Sequence, residues 1–179
     1  MIKKAVIPAA GFGTRFLPAC KSQPKEMLPI VDTPTIQHVV EEVVAAGIND
    51  ILMIIGKSKR AIEEHFDRSF ELEAELEEKG KKEELKAIRR ISSMANVHFV
   101  WQKELNGLGD AVSYARHHVN NEPFALLLGD TLIESSPSAL RQMMEVYDRY
   151  GESVVLLEEV ERSKISRYGV IAALSLIHI

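Results

Sequence analysis

Ala5-Val6-Ile7-Pro8-Ala9-Ala10-Gly11-Phe12-Gly13-Thr14-Arg15-Phe16-Leu17-Pro18 begins as a short apolar run of β-forming residues and passes directly into two glycines, a hydroxyl and an arginine. That order is expected where a buried strand delivers the chain to an anion-binding loop. Gly11 and Gly13 lack a Cβ, so the backbone there can take positive φ, approach a ligand closely and turn successive N–H groups inward. Arg15 adds a planar fork of permanent charge, and Lys25, at the far side of the loop, adds a mobile point charge. Two cations beside such a nest suit a polyphosphate.

The glycines by themselves leave two readings open, an ordinary tight turn and a ligand loop. A dinucleotide-binding reading is disfavoured on three counts. Phe16 stands where the third glycine of that fingerprint would fall; Pro18, Pro24 and Pro29 interrupt the long helix that should follow; and Gly56-Lys57 occupies the end of the second strand, where an acidic residue would meet the ribose. No Walker pattern is present.

The whole string, Gly11 to Pro18 followed by Lys21 and by Pro24-Lys25-Glu26-Met27-Leu28-Pro29, resembles the signature of the sugar-1-phosphate nucleotidyltransferases, in particular the bacterial UTP:glucose-1-phosphate uridylyltransferases. The resemblance implies an α/β, Rossmann-like nucleotidyltransferase fold with a mixed, mostly parallel sheet flanked by helices. It implies Mg²⁺-dependent formation of UDP-glucose and pyrophosphate from UTP and glucose 1-phosphate. By the same match Ala9, Ala10, Gly11, Gly13, Thr14, Arg15, Lys25, Glu26, Gln102 and Gly107 bind the nucleotide. Arg15, Lys25 and Asp130 are the catalytic set, Asp130 is the metal ligand and Gly169 approaches the sugar. Cys20 departs from the family, which more often has threonine there, and reads as a small buried loop residue.

With 179 residues, 46% hydrophobic and 27% charged, the chain has the material for one α/β domain with a substantial core. A net charge of −4 argues against nucleic acid or an anionic membrane surface as a general partner. The N-terminus enters a strand without a signal-like segment, no apolar run approaches the length of a membrane span, and the lone Cys20 agrees with a reducing compartment, so a cytoplasmic location is expected.

After Pro29, Asp32-Thr33-Pro34 offers an N-cap and a proline at the first helical position. Ile36, Val39, Val40, Val43 and Val44 then recur at helical spacing until Gly47. Ile48 to Ile55 is a second strand, so strand, helix, strand predicts a parallel βαβ crossover. Residues 58–92 read as a charged helical insertion in which Ile62, Phe66 and Phe70, then Leu72 and Leu76, then Leu85 and Ile88 recur at helical spacing, and most of the charges between them are solvated faces and i,i+4 pairs. Phe66-Asp67-Arg68-Ser69-Phe70-Glu71-Leu72-Glu73 resembles the segment that marks the uridylyltransferases, and that resemblance implies a homo-oligomer for the full-length protein.

A third strand, Val97 to Trp101, ends at Gln102, and Asn106-Gly107-Leu108-Gly109 opens a helix predicted over Asp110–His118. These residues alone favour a flexible lead into a helix with Gln102 a solvated strand-end residue; the family's Gln-Lys-Glu-x-x-Gly-Leu-Gly pattern, which they resemble, instead implies base recognition by Gln102 and Gly107. His117 and His118 read as helix-end residues that cap or hydrate it, with no metal-pair spacing. Phe124 to Leu128, apolar throughout, is predicted to be a central strand ending in Gly129-Asp130-Thr131. Asp130 there could cap a turn or offer a hard oxygen to Mg²⁺. Ser136-Pro137 begins a further helix, Ser138 to Tyr150, and Ser153 to Val160 reads as a strand.

Tyr168-Gly169-Val170-Ile171 resembles the family's Tyr-Gly-Val, and there the match stops. The domain is therefore taken as residues 1–173, the nucleotide-binding portion, incomplete at its C-terminus. Leu174-Ser175-Leu176-Ile177-His178-Ile179 reads as a non-native tail resembling translated sequencing adaptor. Two alternatives remain: a thymidylyltransferase of the same family, and a catalytically incomplete nucleotide-binding fragment.

Overall fold

A computed structural model describes residues 1–167 and 169–171. The expected tail, 174–179, and Tyr168 lie outside the described residues. Four parallel strands form the main sheet: β1 (Lys4–Ala9), β4 (Asp50–Ile55), β5 (Asn96–Trp101) and β6 (Phe124–Leu126), in the order β5-β4-β1-β6. A two-residue antiparallel pair, β2 (Pro29–Ile30) and β3 (Thr33–Pro34), supplies the only other sheet among the described residues. Among the described residues seven α-helices follow in chain order: α1 (Thr35–Ala45), α2 (Arg60–Phe66), α3 (Phe70–Glu78), α4 (Lys82–Ser93), α5 (Leu108–Ser113), α6 (Arg116–Val119) and α7 (Ala139–Tyr150).

Period-2 alternation divides the core between the two sheet faces. Ala5, Ile7 and Ala9 of β1 and Ile51, Met53 and Ile55 of β4 pack with Ile36, Val39, Val40 and Val43 of α1, Ile62 and Phe66 of α2 and Leu140 of α7. Val6, Leu52 and Ile54 point the other way, onto Ala111, Ala115 and Val119 of the α5–α6 segment. Both faces are therefore covered, which explains why β1 and β4 read as continuous apolar runs. Each fully buried Ile or Val contributes roughly 1.5–3 kcal/mol. The parallel β1–β4 register, Ala5 opposite Ile51 and Ala9 opposite Ile55, is the expected βαβ crossover.

Several expectations are corrected. Asp32 and Thr33 do not cap α1: the β2–β3 pair takes up Thr33 and Pro34, with Val31 at φ 61°, and the helix starts at Thr35, whose Oγ1 donates to Leu28 O at 2.8 Å. The insertion is helical, divided into three short helices, but Phe70 and Leu72 are exposed rather than packed, with Phe70 lying beneath the Arg68 guanidinium at 4.5 Å. Most of its charges are solvated, and Glu73 is an exception, buried between Arg68 and Arg89. The helix expected over Asp110–His118 breaks into α5 and α6. His118 Nε2 stands 2.9 Å from Asp50 Oδ1 instead of facing water.

Nor is β6 central. It is an edge strand among the described residues, because the expected strand from Ser153 to Val160 is irregular chain with Val155, Leu156 and Leu157 exposed, leaving β6 nothing to pair with beyond β1.

Candidate nucleotide site at the carboxyl ends of the parallel strands

The chain runs β1 to β4 to β5 in one direction across the sheet, then returns to place β6 on the other side of β1. The carboxyl ends of β1 and β6 therefore flank a topological switch point, where the loops diverge and open α/β sheets bind ligands. The loop after β1 carries Gly11 to Arg15, and the loop after β6 carries Gly129 and Asp130. The fold thus brings to one crevice residues far apart in the chain.

The loop after β1 is built from three 3₁₀ turns, Thr14–Phe16, Ala19–Lys21 and Lys25–Met27, as the prolines dictate. Gly13 has φ 66°, and a Cβ there would lie 3.1 Å from Lys25 Cβ. Gly11 does not take positive φ, so the turn depends on one left-handed glycine rather than the expected two, and the space around Gly11 is open. Ala9 and Ala10 are buried at the strand end, Thr14 and Arg15 are exposed on the first turn, and Cys20 is buried beneath it.

Lys25 Nζ forms an ion pair with Asp130 Oδ2 across the switch point. An ammonium already stands where Asp130 would meet a cation, so the carboxylate is oriented for one. Among the described residues no cluster of three or more His, Cys, Asp or Glu side chains is arranged to hold a metal ion. A single carboxylate nevertheless fits Mg²⁺, which keeps several waters and takes one or two carboxylates plus substrate phosphates.

Glu26 is turned away from the crevice. It is 1% exposed, and its Oε2 accepts from Lys59 Nζ at 2.7 Å. Gln102, at the end of β5, is 7% exposed; its backbone N–H donates to Ile55 O at 2.8 Å and its Nε2 to Asp110 Oδ2 at 2.7 Å. Asp110 offers only acceptors, so it takes the amide nitrogen and turns Oε1 the other way. Gly107 precedes α5 with φ 94° and open space where a Cβ would project. Gly169 lies in exposed, irregular chain and is not among the residues brought together.

Two residues at this site escape the motif reading. Asp110, which orients Gln102, reads in sequence only as a helix-opening acid. Lys59 reads like its exposed neighbours Lys57 and Arg60, yet is 1% exposed. Among the described residues no helix is long and apolar enough to cross a membrane.

Similar proteins carry the same architecture. A UTP–glucose-1-phosphate uridylyltransferase of Bacillus subtilis is 58% identical over 170 residues, covering 95% of this chain and 57% of the relative. A second from the same organism is 53% identical over 174 residues, covering 97% of this chain and 60% of the relative. The chain thus spans less than two-thirds of the length of these curated relatives. Among solved structures, a UDP-glucose pyrophosphorylase from Acinetobacter baumannii superposes with TM-score 0.91 at 43% identity, over 98% of this chain and 62% of that one. A UTP-bound UGPase from the same organism gives 0.80 at 46% identity, over 84% and 54%. The nucleotidyl transferase family model matches residues 4–175, nearly the whole chain, and the protein is a member of the nucleotidyl transferase family.

Proposed function

We propose that this chain is the nucleotide-binding portion of a UTP:glucose-1-phosphate uridylyltransferase. The observation that carries the reading is the Lys25–Asp130 pair at the β1–β6 switch point, in a chain whose relatives bear that name. In the complete enzyme a phosphate oxygen of glucose 1-phosphate attacks the α-phosphorus of UTP, the bond from that phosphorus to the β-phosphate oxygen breaks, and pyrophosphate leaves with the electron pair. Such a displacement needs positioning and charge neutralisation rather than a protein nucleophile.

Each side chain has a role set by its chemistry. Arg15, exposed and forked, holds the β and γ phosphates. Lys25 exchanges its contact with Asp130 for the α-phosphoryl oxygens and offsets their growing charge. Asp130 would hold Mg²⁺, which supplies charge neutralisation on the phosphates when bound. Gln102 Oε1 accepts from the uracil N3–H, and the bare backbone at Gly107 lets the base lie close. Ala9, Ala10, Gly11 and Thr14 line the phosphate path, and Gly169 approaches the sugar in the complete protein. Glu26 serves the base side from beneath, because its carboxylate is committed to Lys59. We place the complete protein in the cytoplasm, a reducing compartment with which the lone Cys20 agrees, and read it, on the strength of the family resemblance, as a homo-oligomer.

Calorimetric titration of the chain with UTP and Mg²⁺, beside a pyrophosphate-release assay with glucose 1-phosphate, tests the reading. Binding of UTP is expected; its absence, or preference for NADH, would sink the assignment. Competition between UTP and dTTP decides the base.

A further inference from the structure

We infer that Lys59 is a positioning residue for the phosphate loop: buried beneath the crevice, it fixes Lys25 beside Asp130 by holding Glu26. The inference rests on the nucleotide-binding reading above and adds to it a residue from outside the loop. A lysine is almost never fully buried without a partner, because desolvating its charge is costly. Lys59 nevertheless has a side chain 2% exposed, facing a Glu26 side chain 1% exposed.

Both ends of this pair are tied to the site. At the lysine end, the backbone N–H of Lys59 donates to Gly56 O at 3.1 Å, and its carbonyl accepts from Ile62 N at 2.9 Å. Gly56 abuts the loop after β1 so closely that a Cβ would fall 3.1 Å from Ala10 O. The anchor is therefore the end of β4 itself.

At the other end, Glu26 occupies the 3₁₀ turn Lys25–Met27, one peptide bond from Lys25. Its Cγ lies 3.3 Å from where a Cβ on Gly129 would project, directly beneath the residue before Asp130. Any movement of Glu26 is transmitted through the chain to Lys25 and through packing to Asp130. A buried ion pair is often matched in stability by apolar residues of similar volume, so stability alone does not explain this one. A fixed charge pair beneath the turn instead sets where the backbone of Lys25 leaves it, and so where its ammonium meets Asp130.

The test uses the 179-residue chain and Lys59→Met. In ligand-free protein, the Met27 and Leu28 amides, which donate to Pro24 O and Lys25 O, are expected to exchange with solvent about tenfold faster or more, while Val6 and Leu52 keep their protection. Unchanged exchange at Met27 and Leu28 overturns the proposal. UTP affinity in Mg²⁺ is then measured for Lys59→Met, Lys25→Ala and the double variant. Lys59→Met is expected to weaken UTP by about tenfold alone and to add nothing in the Lys25→Ala background, the non-additivity of residues acting as one unit. An equal loss in both backgrounds makes Lys59 merely structural and overturns the proposal. Should Lys59→Met not fold, Lys59→Gln, which keeps a donor for Glu26, carries both arms with a smaller effect. If the parent chain takes up no UTP, the nucleotide reading fails while the exchange arm still decides whether Lys59 holds the turn.

Discussion

Gly13 and Lys25 pack so closely that a methyl group on the glycine would fall 3.1 Å from Lys25 Cβ and 3.3 Å from its Cγ. The left-handed turn at the start of the loop therefore sets the direction of the lysine stem at its end. Gly13→Ala meets two penalties, about 1–2 kcal/mol for a side chain at φ 66° and a steric push on Lys25. Chemical denaturation should register the first as a lower midpoint, and calorimetry should register the second as weaker UTP binding. Gly11→Ala, in open space and at ordinary φ, is expected to leave stability within about 0.5 kcal/mol of the parent.

Lys25→Ala removes the cation that bridges the switch point and leaves Asp130 without its ion-pair partner. UTP affinity of this chain is expected to fall by about tenfold, and turnover of a full-length version by about a hundredfold or more, the scale of losing one preorganised electrostatic contact. Unchanged turnover in steady-state assays would remove Lys25 from the chemistry.

Asp110 fixes which atom Gln102 presents, since a carboxylate accepts and the amide nitrogen must donate to it. Asp110→Asn offers either a donor or an acceptor and frees the Gln102 amide to rotate. Discrimination between UTP and CTP, whose bases differ in the donor and acceptor pattern at N3 and the exocyclic group, is expected to narrow in competition binding by about tenfold, the worth of one hydrogen bond. Asp110→Ala should weaken UTP without restoring that discrimination.

Glu73, whose side chain is 5% exposed, accepts from Arg68 Nε at 2.9 Å and Nη2 at 2.6 Å, and from Arg89 Nε at 2.9 Å. Hydrogen bonds from Arg68, then from Arg89, hold its carboxyl at about 2, against an ordinary value of 4.5. A carboxyl depressed in the folded state stabilises fully above the unfolded value, and that stability is lost as pH falls through 4.5 toward about 2. Glu73→Gln should therefore be less stable than the parent at neutral pH. The gap between their urea midpoints should close on acidification across that window.

Much of the architecture was legible because its signals are local. The apolar runs of β1 and β4, the spacing of Ile36, Val39, Val40 and Val43, and the stop at Gly47 are carried by neighbouring residues whose burial follows from strand and helix geometry. The prolines after Gly13 likewise forced short 3₁₀ turns in place of a helix. An apolar run such as Phe124 to Leu128 reports a tendency to be buried, but not which strands stand beside it. β6 is accordingly an edge where a central strand was expected.

By itself the sequence determined the parallel βαβ start, the glycine- and proline-bearing loop after β1 and the family resemblance, since each is written in contiguous residues. Only the tertiary structure set Lys25 against Asp130, 105 positions later, and Lys59 against Glu26, 33 positions earlier. Lys57, Lys59 and Arg60 carry the same charge in the same segment, and one of them is buried. The physical reason is that a charge is buried or solvated according to what the sheet order and the loop crossings bring beside it, and that neighbour lies outside any local window.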